Sequence, residues 1–208
     1  MPLKIMIVAD QPLFRKGLQW LLKMEEDMLT VAEADNGAMA VQYAKDIQPD
    51  VVVMDITLSV LDGINATRQI VAENPDISVL TLSSESDFGS VVKALEAGAK
   101  GYITKDAAFA ELAAGIRAVA HGKSYLCRKI SELILKNFLQ SINDGYNAGL
   151  PTLSTQELAI MRYISDGKNT WHIAHAFEVS DDVINRRFQS IMNKADLYSI
   201  KSITKYAT

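Results

Sequence analysis

Apolar positions in the first part of the chain follow two different periods. Unbroken runs such as Ile5-Met6-Ile7-Val8-Ala9, Val51-Val52-Val53-Met54 and Val79-Leu80-Thr81-Leu82 have no polar face and read as strands buried on both sides. Between them the apolar residues recur at helical spacing. Strands are expected near Lys4 to Ala9, Leu29 to Ala34, Val51 to Met54, Ser78 to Leu82 and Gly101 to Thr104. Helices are expected over roughly Pro12 to Met24, Gly37 to Ile47, Gly63 to Asn74, Asp87 to Ala97 and Phe109 to His121, with Trp20, Leu21 and Leu22 on the core face of the first. Alternation of buried strands with helices implies a parallel sheet covered on both faces, the flavodoxin-like doubly wound α/β fold.

The pattern then changes. Ser131 to Ile142 carries Leu133, Ile134, Leu135, Phe138, Leu139 and Ile142 at the spacing of one amphipathic helix, and Asn143 to Gly149 is rich in turn formers, as a linker ending near Pro151 would be. From Leu153 the reading is all-helical. Ser154 and Glu157 form a capping box for a helix that Gly167 can close, Thr170 starts a short helix through Phe177, and Ser180 starts a third running to about Ala195. Joined by the tight Glu178-Val179-Ser180 connection, the last two resemble a helix-turn-helix. Three regions follow: an α/β domain over 1–125, a linker helix and linker over 126–150, and a small all-α helix-turn-helix domain over 151–208.

Chemistry gathers at the strand ends. Asp10 and Asp55 each follow a buried strand, Ser83 follows a third and Lys105 a fourth, so two acids, a hydroxyl and an amine share the carboxyl-end rim where open α/β sheets hold ligands. Two such carboxylates can meet over one divalent cation. The 208 residues suffice for two modest cores. Charge is uneven: residues 1–123 carry 11 Lys and Arg against 17 Asp and Glu, which suits a cation site, whereas 151–208 carry 7 against 6, a thin surplus for a domain that must sit on phosphates. No segment approaches the roughly 20 apolar residues of a membrane span and no signal peptide is evident, so a cytoplasmic protein without a membrane role is expected. The single Cys127 cannot close an internal disulfide, and His121, His172 and His175 lack a third ligand in sequence.

The order Ala9-Asp10-Gln11-Pro12-Leu13-Phe14-Arg15, Met54-Asp55-Ile56 with Leu61-Asp62-Gly63, and Ala97-Gly98-Ala99-Lys100-Gly101-Tyr102 leading into Lys105-Asp106 resembles the receiver domain of bacterial two-component response regulators. The frame of Leu153-Ser154, Glu157, Gly167, Ile173-Ala174, Val179-Ser180, Ile184, Ile191 and Lys194 is similar to the output domain of the NarL/FixJ (LuxR-type) regulators. The resemblance implies that Asp55 is a phosphoacceptor. It further implies that Asp10, Asp55 and the backbone carbonyl of Thr57 hold Mg²⁺, that Lys105 and Ser83 bind the phosphoryl oxygens, and that Tyr102 is a switch residue swinging inward when Ser83 engages phosphate. The phosphodonor would be a sensor histidine kinase. The third output helix would direct Asn185, Arg186 and Gln189 toward base edges of promoter DNA and Arg187, Lys194 and Lys201 toward phosphates, in a protein that is a homodimer at least when phosphorylated.

The chain departs from the family pattern at named positions. Ala9 stands where the first of two acids is usual, Gln11 where His is common, and Leu58-Ser59 where Met-Pro is usual. Val183, Asn185 and Arg187 replace the frequent Thr, Lys and His of the recognition helix, and Asp181 and Asp182 add negative charge at its start. Two function classes remain open from sequence: a transcriptional response regulator, and a pseudo-receiver acting by constitutive dimerisation or protein contacts with weak or no DNA binding. A standalone phosphotransfer or hydrolytic enzyme would need a second catalytic constellation, which the sequence does not offer.

Overall fold

In the computed structural model, residues 1–84, 86–143, 154–165, 170–184, 186–187 and 190–191 are described. The chain divides into two compact units, Met1–Glu85 with Lys93–Cys127, and Ser86–Val92 with Arg128–Thr208.

The first unit is built on six parallel strands, β1 (Leu3–Val8), β2 (Met28–Ala34), β3 (Val51–Asp55), β4 (Ser78–Ser83), β5 (Gly101–Thr104) and β6 (Tyr125–Leu126), in the order β2-β1-β3-β4-β5-β6. The reversal between β1 and β3 is the switch point of a doubly wound sheet, so the expected fold holds. The expectation of five strands was one short: β6 is two residues long and pairs with Gly101 and Tyr102, too brief to show a period. Helices α1 (Pro12–Leu22), α2 (Gly37–Ile47), α3 (Gly63–Glu73), α4 (Phe88–Glu96) and α5 (Phe109–Ala120) connect the strands. Pro12 opens α1 at its first turn, where its missing N–H costs nothing. The Asn36 and Asp62 side chains cap α2 and α3 by accepting from the amides of Met39 and Asn65.

Residues Val51 to Met54 are all buried, as an apolar run between two helix layers must be. Met6, Val8, Val52, Met54 and Val79 pack with Ala40, Ala44, Ala66 and Ile70 in one core cluster. Trp20 is not part of any core: it is 64% exposed, and the buried residues of α1 are Leu18 and Leu22. Those two lie four apart on one face, and Trp20, midway between them in sequence, projects from the other side.

In the second unit, helix α6 spans Arg128–Asn143, beginning three residues before the expected start, and α7 (Thr155–Ser165) and α8 (Thr170–Ala176) follow. The capping box forms as expected: the Ser154 amide donates to Glu157 Oε2 at 2.6 Å and the Glu157 amide to Ser154 Oγ at 3.2 Å. After α8 the chain turns through Glu178 at φ 52°, a left-handed residue that lets the Val179 amide reach the Ala174 carbonyl at 3.0 Å. Residues 181–184, 186–187 and 190–191 are helical. Ile160, Met161, Ile173, Ala174, Ile184 and Ile191 are buried, and Tyr163 meets Phe177 edge-on at 5.7 Å between centroids. The linker expected over 143–149 falls, beyond Asn143, outside the described residues, as does Gly167.

Candidate functional site

Strand register brings the four strand-end groups level. Val8 pairs with Met54, Asp55 with Leu82, and Ser83 with Thr104, so Asp55 and Ser83 end adjacent strands and Asp10 and Lys105 follow the two strands outside them. The Lys105 amide donates to the Ser83 carbonyl at 2.8 Å, tying the last two rim positions together. Asp55 is 1% exposed. Lys105 Nζ lies 2.5 Å from Asp55 Oδ2, and the Thr57 amide donates to Asp55 Oδ1 at 3.1 Å. Asp10 is close enough for its charge to act on Asp55. Burial pushes the Asp55 carboxyl above its ordinary value of 3.8, the Lys105 ammonium and Thr57 amide pull it back, and burial prevails.

The loop after β3 is held by close backbone approaches. A Cβ on Gly63 would sit 2.0 Å from the Asp55 carbonyl oxygen, and one on Gly37 would sit 2.2 Å from that of Leu61, so both positions need glycine. The Gly63 amide donates to the Ile56 carbonyl at 2.9 Å and closes the turn. In the same loop Val60 has φ 67° and is 87% exposed. A β-branched residue in that conformation is strained, and strain of this kind clusters at functional loops.

Ser83 and Tyr102 are fully buried. At Ala9 the absent carboxylate leaves a buried methyl, and the Arg15 guanidinium donates to the Ala9 carbonyl while its Nε lies 3.4 Å from Glu33. The donor set fits magnesium. Asp10 and Asp55 would supply two carboxylates and Thr57 a backbone carbonyl, oxygen donors of the kind Mg²⁺ takes while keeping several waters. No cluster of three or more acidic, His or Cys side chains suited to a metal occurs among the described residues, so any ion here depends on this sparse set.

Phe14 was not among the site residues expected from sequence. Its ring lies 4.9 Å from Lys105 Nζ, a cation–π distance, although the two residues are far apart in the chain. The available signal was an aromatic residue in the first turn of a helix that opens at the rim.

In the second unit Arg186 is exposed, and its Nε donates to the Asp182 carbonyl at 3.3 Å. Arg187 instead donates to Gln156 Oε1 at 2.5 Å, which ties it to α7. Asn185, Gln189, Lys194 and Lys201 lie outside the described residues.

Residues 5–117 match the response regulator receiver domain family, and residues 151–207 match the family described as bacterial regulatory proteins, luxR family. The transcriptional regulatory protein LiaR of Bacillus subtilis (strain 168) is 31% identical over 207 residues, covering 99% of this chain and 96% of its own. The transcriptional regulatory protein DegU of Brevibacillus brevis is 28% identical over 208 residues, covering 94% of this chain and 88% of its own. Among solved structures, a two-component response regulator of the LuxR family from Aurantimonas sp. SI85-9A1 superposes with a TM-score of 0.65 at 33% identity, covering 67% of this chain and 99% of that one. Relatives that run the full length of the chain and are named as transcriptional regulators favour that class over the pseudo-receiver alternative.

Proposed function

The chain belongs to the response regulators that join a receiver domain to a luxR-family regulatory domain, and on that footing we propose that Asp55 is its phosphoacceptor and that its phosphorylation controls promoter binding. The observation that carries the assignment is the buried Asp55 carboxylate with Lys105 Nζ at 2.5 Å, on a rim shared with Asp10 and Ser83. A carboxylate oxygen of Asp55 attacks phosphorus in line, the bond from phosphorus to the donor's leaving atom breaks, and that atom, an imidazole nitrogen in a phosphohistidine or a carboxylate oxygen in acetyl phosphate, departs with the electron pair. Lys105 moves from the carboxylate to a phosphoryl oxygen as charge develops there, and Ser83 donates its hydroxyl to another. Bound at Asp10, Asp55 and the Thr57 carbonyl, Mg²⁺ would supply positive charge against the phosphoryl oxygens. Tyr102, packed beside Thr81 in the β4–β5 register, is the residue whose inward position follows Ser83.

The donor is a sensor histidine kinase and the setting the cytoplasm; no helix among the described residues is long and apolar enough to cross a membrane. Phosphate biases a two-state receiver only through contacts that differ between the states, and Lys105, Ser83 and Tyr102 are the groups able to make them. The active form is a homodimer, for which the exposed Leu13 and Trp20 on α1 and Met24 just beyond its end provide apolar surface. Arg186 reads a base edge, while Lys194 and Lys201 meet phosphates and Asn185 and Gln189 extend the reading surface.

Intact mass after incubation with acetyl phosphate and Mg²⁺ tests the assignment. One phosphoryl adduct is expected on the parent and none on Asp55→Asn; an adduct that persists on the variant rules Asp55 out. For DNA, Arg186→Ala is expected to cost about 1–3 kcal/mol at the cognate site and relax one base position, whereas Lys194→Ala weakens all sequences alike. Titration of the phosphorylated full chain against a selected oligonucleotide pool at two salt concentrations measures both. Absence of binding to any member at low salt would point to a protein partner instead.

A further inference from the structure

The Lys105 ammonium has two neighbours of different kinds. One is the Asp55 carboxylate at 2.5 Å, whose charge passes to the phosphoryl group when the aspartyl phosphate forms; the other is the face of Phe14, 4.9 Å from ammonium to centroid. Phe14 sits in the first turn of α1 behind Pro12, and Lys105 directly follows β5, so both backbones are fixed by regular structure. The lysine stem between them is not: four rotatable carbons carry a compact charge that water would otherwise claim. A ring quadrupole attracts that charge without being consumed by the reaction, and a half-buried site strengthens the attraction.

We propose that Phe14 is a positioning residue for Lys105, holding the ammonium beside the reacting oxygens through both gain and loss of the phosphoryl group. The inference rests on the reading of Asp55 as phosphoacceptor. In the forward step a carboxylate oxygen of Asp55 bonds to phosphorus, the phosphorus–oxygen bond of acetyl phosphate breaks, and acetate leaves with the electron pair. In the separate hydrolytic loss, a water oxygen bonds to phosphorus, the bond from phosphorus to the Asp55 oxygen breaks with that oxygen leaving as carboxylate, and one water proton passes to solvent. Lys105 must exchange one anion for another in each direction, and Phe14 is the partner common to all states.

The test uses the full chain with Mg²⁺ and acetyl phosphate, following the rate of adduct formation by intact mass. Phe14→Leu keeps an apolar side chain but removes the ring, and should slow labelling on the order of tenfold, while Phe14→Tyr and Phe14→Trp should restore it. In a Lys105→Ala background Phe14→Leu should change nothing further, because its effect passes through the ammonium. An independent readout is the Lys105 Cε methylene proton resonance in the resting protein, shifted upfield by the Phe14 ring and returned to an ordinary position in Phe14→Leu.

Equal labelling rates for the parent and Phe14→Leu overturn the positioning role while leaving Asp55 as phosphoacceptor. An equal slowing by Phe14→Leu with and without Lys105 also overturns it, because that is the mark of a purely structural side chain. A parent chain that takes no label overturns the phosphoacceptor reading and the role together, and the methylene shift then reports the contact alone.

Discussion

The Lys105–Asp55 and Arg117–Asp27 pairs have nearly equal lengths, 2.5 and 2.7 Å, and both join residues distant in the chain. Their surroundings separate them. Asp55 has 1% of its side chain exposed and Asp27 has 50%. Burial drives the Asp55 carboxyl above 3.8 against the pull of Lys105, whereas hydrogen bonds from Arg117, which also holds Glu25 at 2.5 Å, lower Asp27 below the same value. One pair keeps a charge where the fold would sooner have none, ready for chemistry; the other fastens the turn before β2 to α5 in high dielectric. Distance alone distinguishes neither role, because desolvation sets the sign.

The largest expected effect comes from disturbing the loop that places Asp55. Gly63→Ala puts a methyl against the Asp55 carbonyl oxygen at 2.0 Å, a contact with backbone that cannot rotate away. A loss of about 3 kcal/mol in unfolding free energy is expected, with labelling reduced as the carboxylate moves. Urea denaturation of parent and variant measures it; an unchanged midpoint would mean that the loop yields more easily than its hydrogen bonds suggest.

Next is the buried charge itself. With a folded value above 3.8, Asp55 contributes stability that is fully present below pH 3.8 and lost as pH rises through the raised value. At neutral pH the ionised carboxylate is therefore a net cost, and Asp55→Asn should raise the thermal midpoint by a few degrees in the absence of Mg²⁺. The gain should grow upward from pH 3.8 and vanish in acid. A variant less stable than its parent at pH 7 would show that Lys105 outweighs burial. Asp27 has the opposite sign, its contribution being present above 3.8 and lost as pH falls through its lowered value.

Ala9→Asp adds a third carboxylate beside Asp10. Mg²⁺ should bind about tenfold more tightly through an outer-shell acceptor, while the metal-free protein loses stability because a buried position gains charge. Mg²⁺ titration followed by the thermal midpoint reports both, and identical titration curves count against the role given to position 9. Smaller again is Val60→Asn, which removes an exposed β-branched side chain from φ 67° in favour of one that tolerates it, for a gain of about 1 kcal/mol. If chemical denaturation finds no gain, the loop relaxes its backbone without help.

How much of this was legible in the sequence depends on the range of the forces involved. Val51 to Met54 announced a buried strand because every residue is apolar, and Asp55 announced the site because a charge ends that run. Trp20 misled because apolar density marks a helix but only the spacing of Leu18 and Leu22 marks its face. The two-residue β6 carries no period. The Phe14–Lys105 contact and the positive φ of Val60 arise from how the sheet and loop close, which no local pattern encodes. In the last domain Ile173, Ile184 and Ile191 belong to the frame that carries the family resemblance and all three are buried, whereas the tie between Arg187 and Gln156 was not legible, since it crosses from one helix to another.

The smallest effect is expected where the geometry looks strongest. Arg117→Ala deletes three short contacts to Glu25 and Asp27 at once. Its partners are partly or largely in water, so the carboxylates regain hydration when the guanidinium goes, and long side chains regain the freedom they lost in pairing. The thermal midpoint should fall slightly at low ionic strength, and the difference should disappear at about 1 M salt, where screening is nearly complete within a few ångströms. Labelling of Asp55 should be unchanged, because Arg117 touches no group at the rim. A large drop that persists in high salt would make this pair a packing element in its own right, and the contrast with Lys105–Asp55 would then lie in function alone and not in energetics.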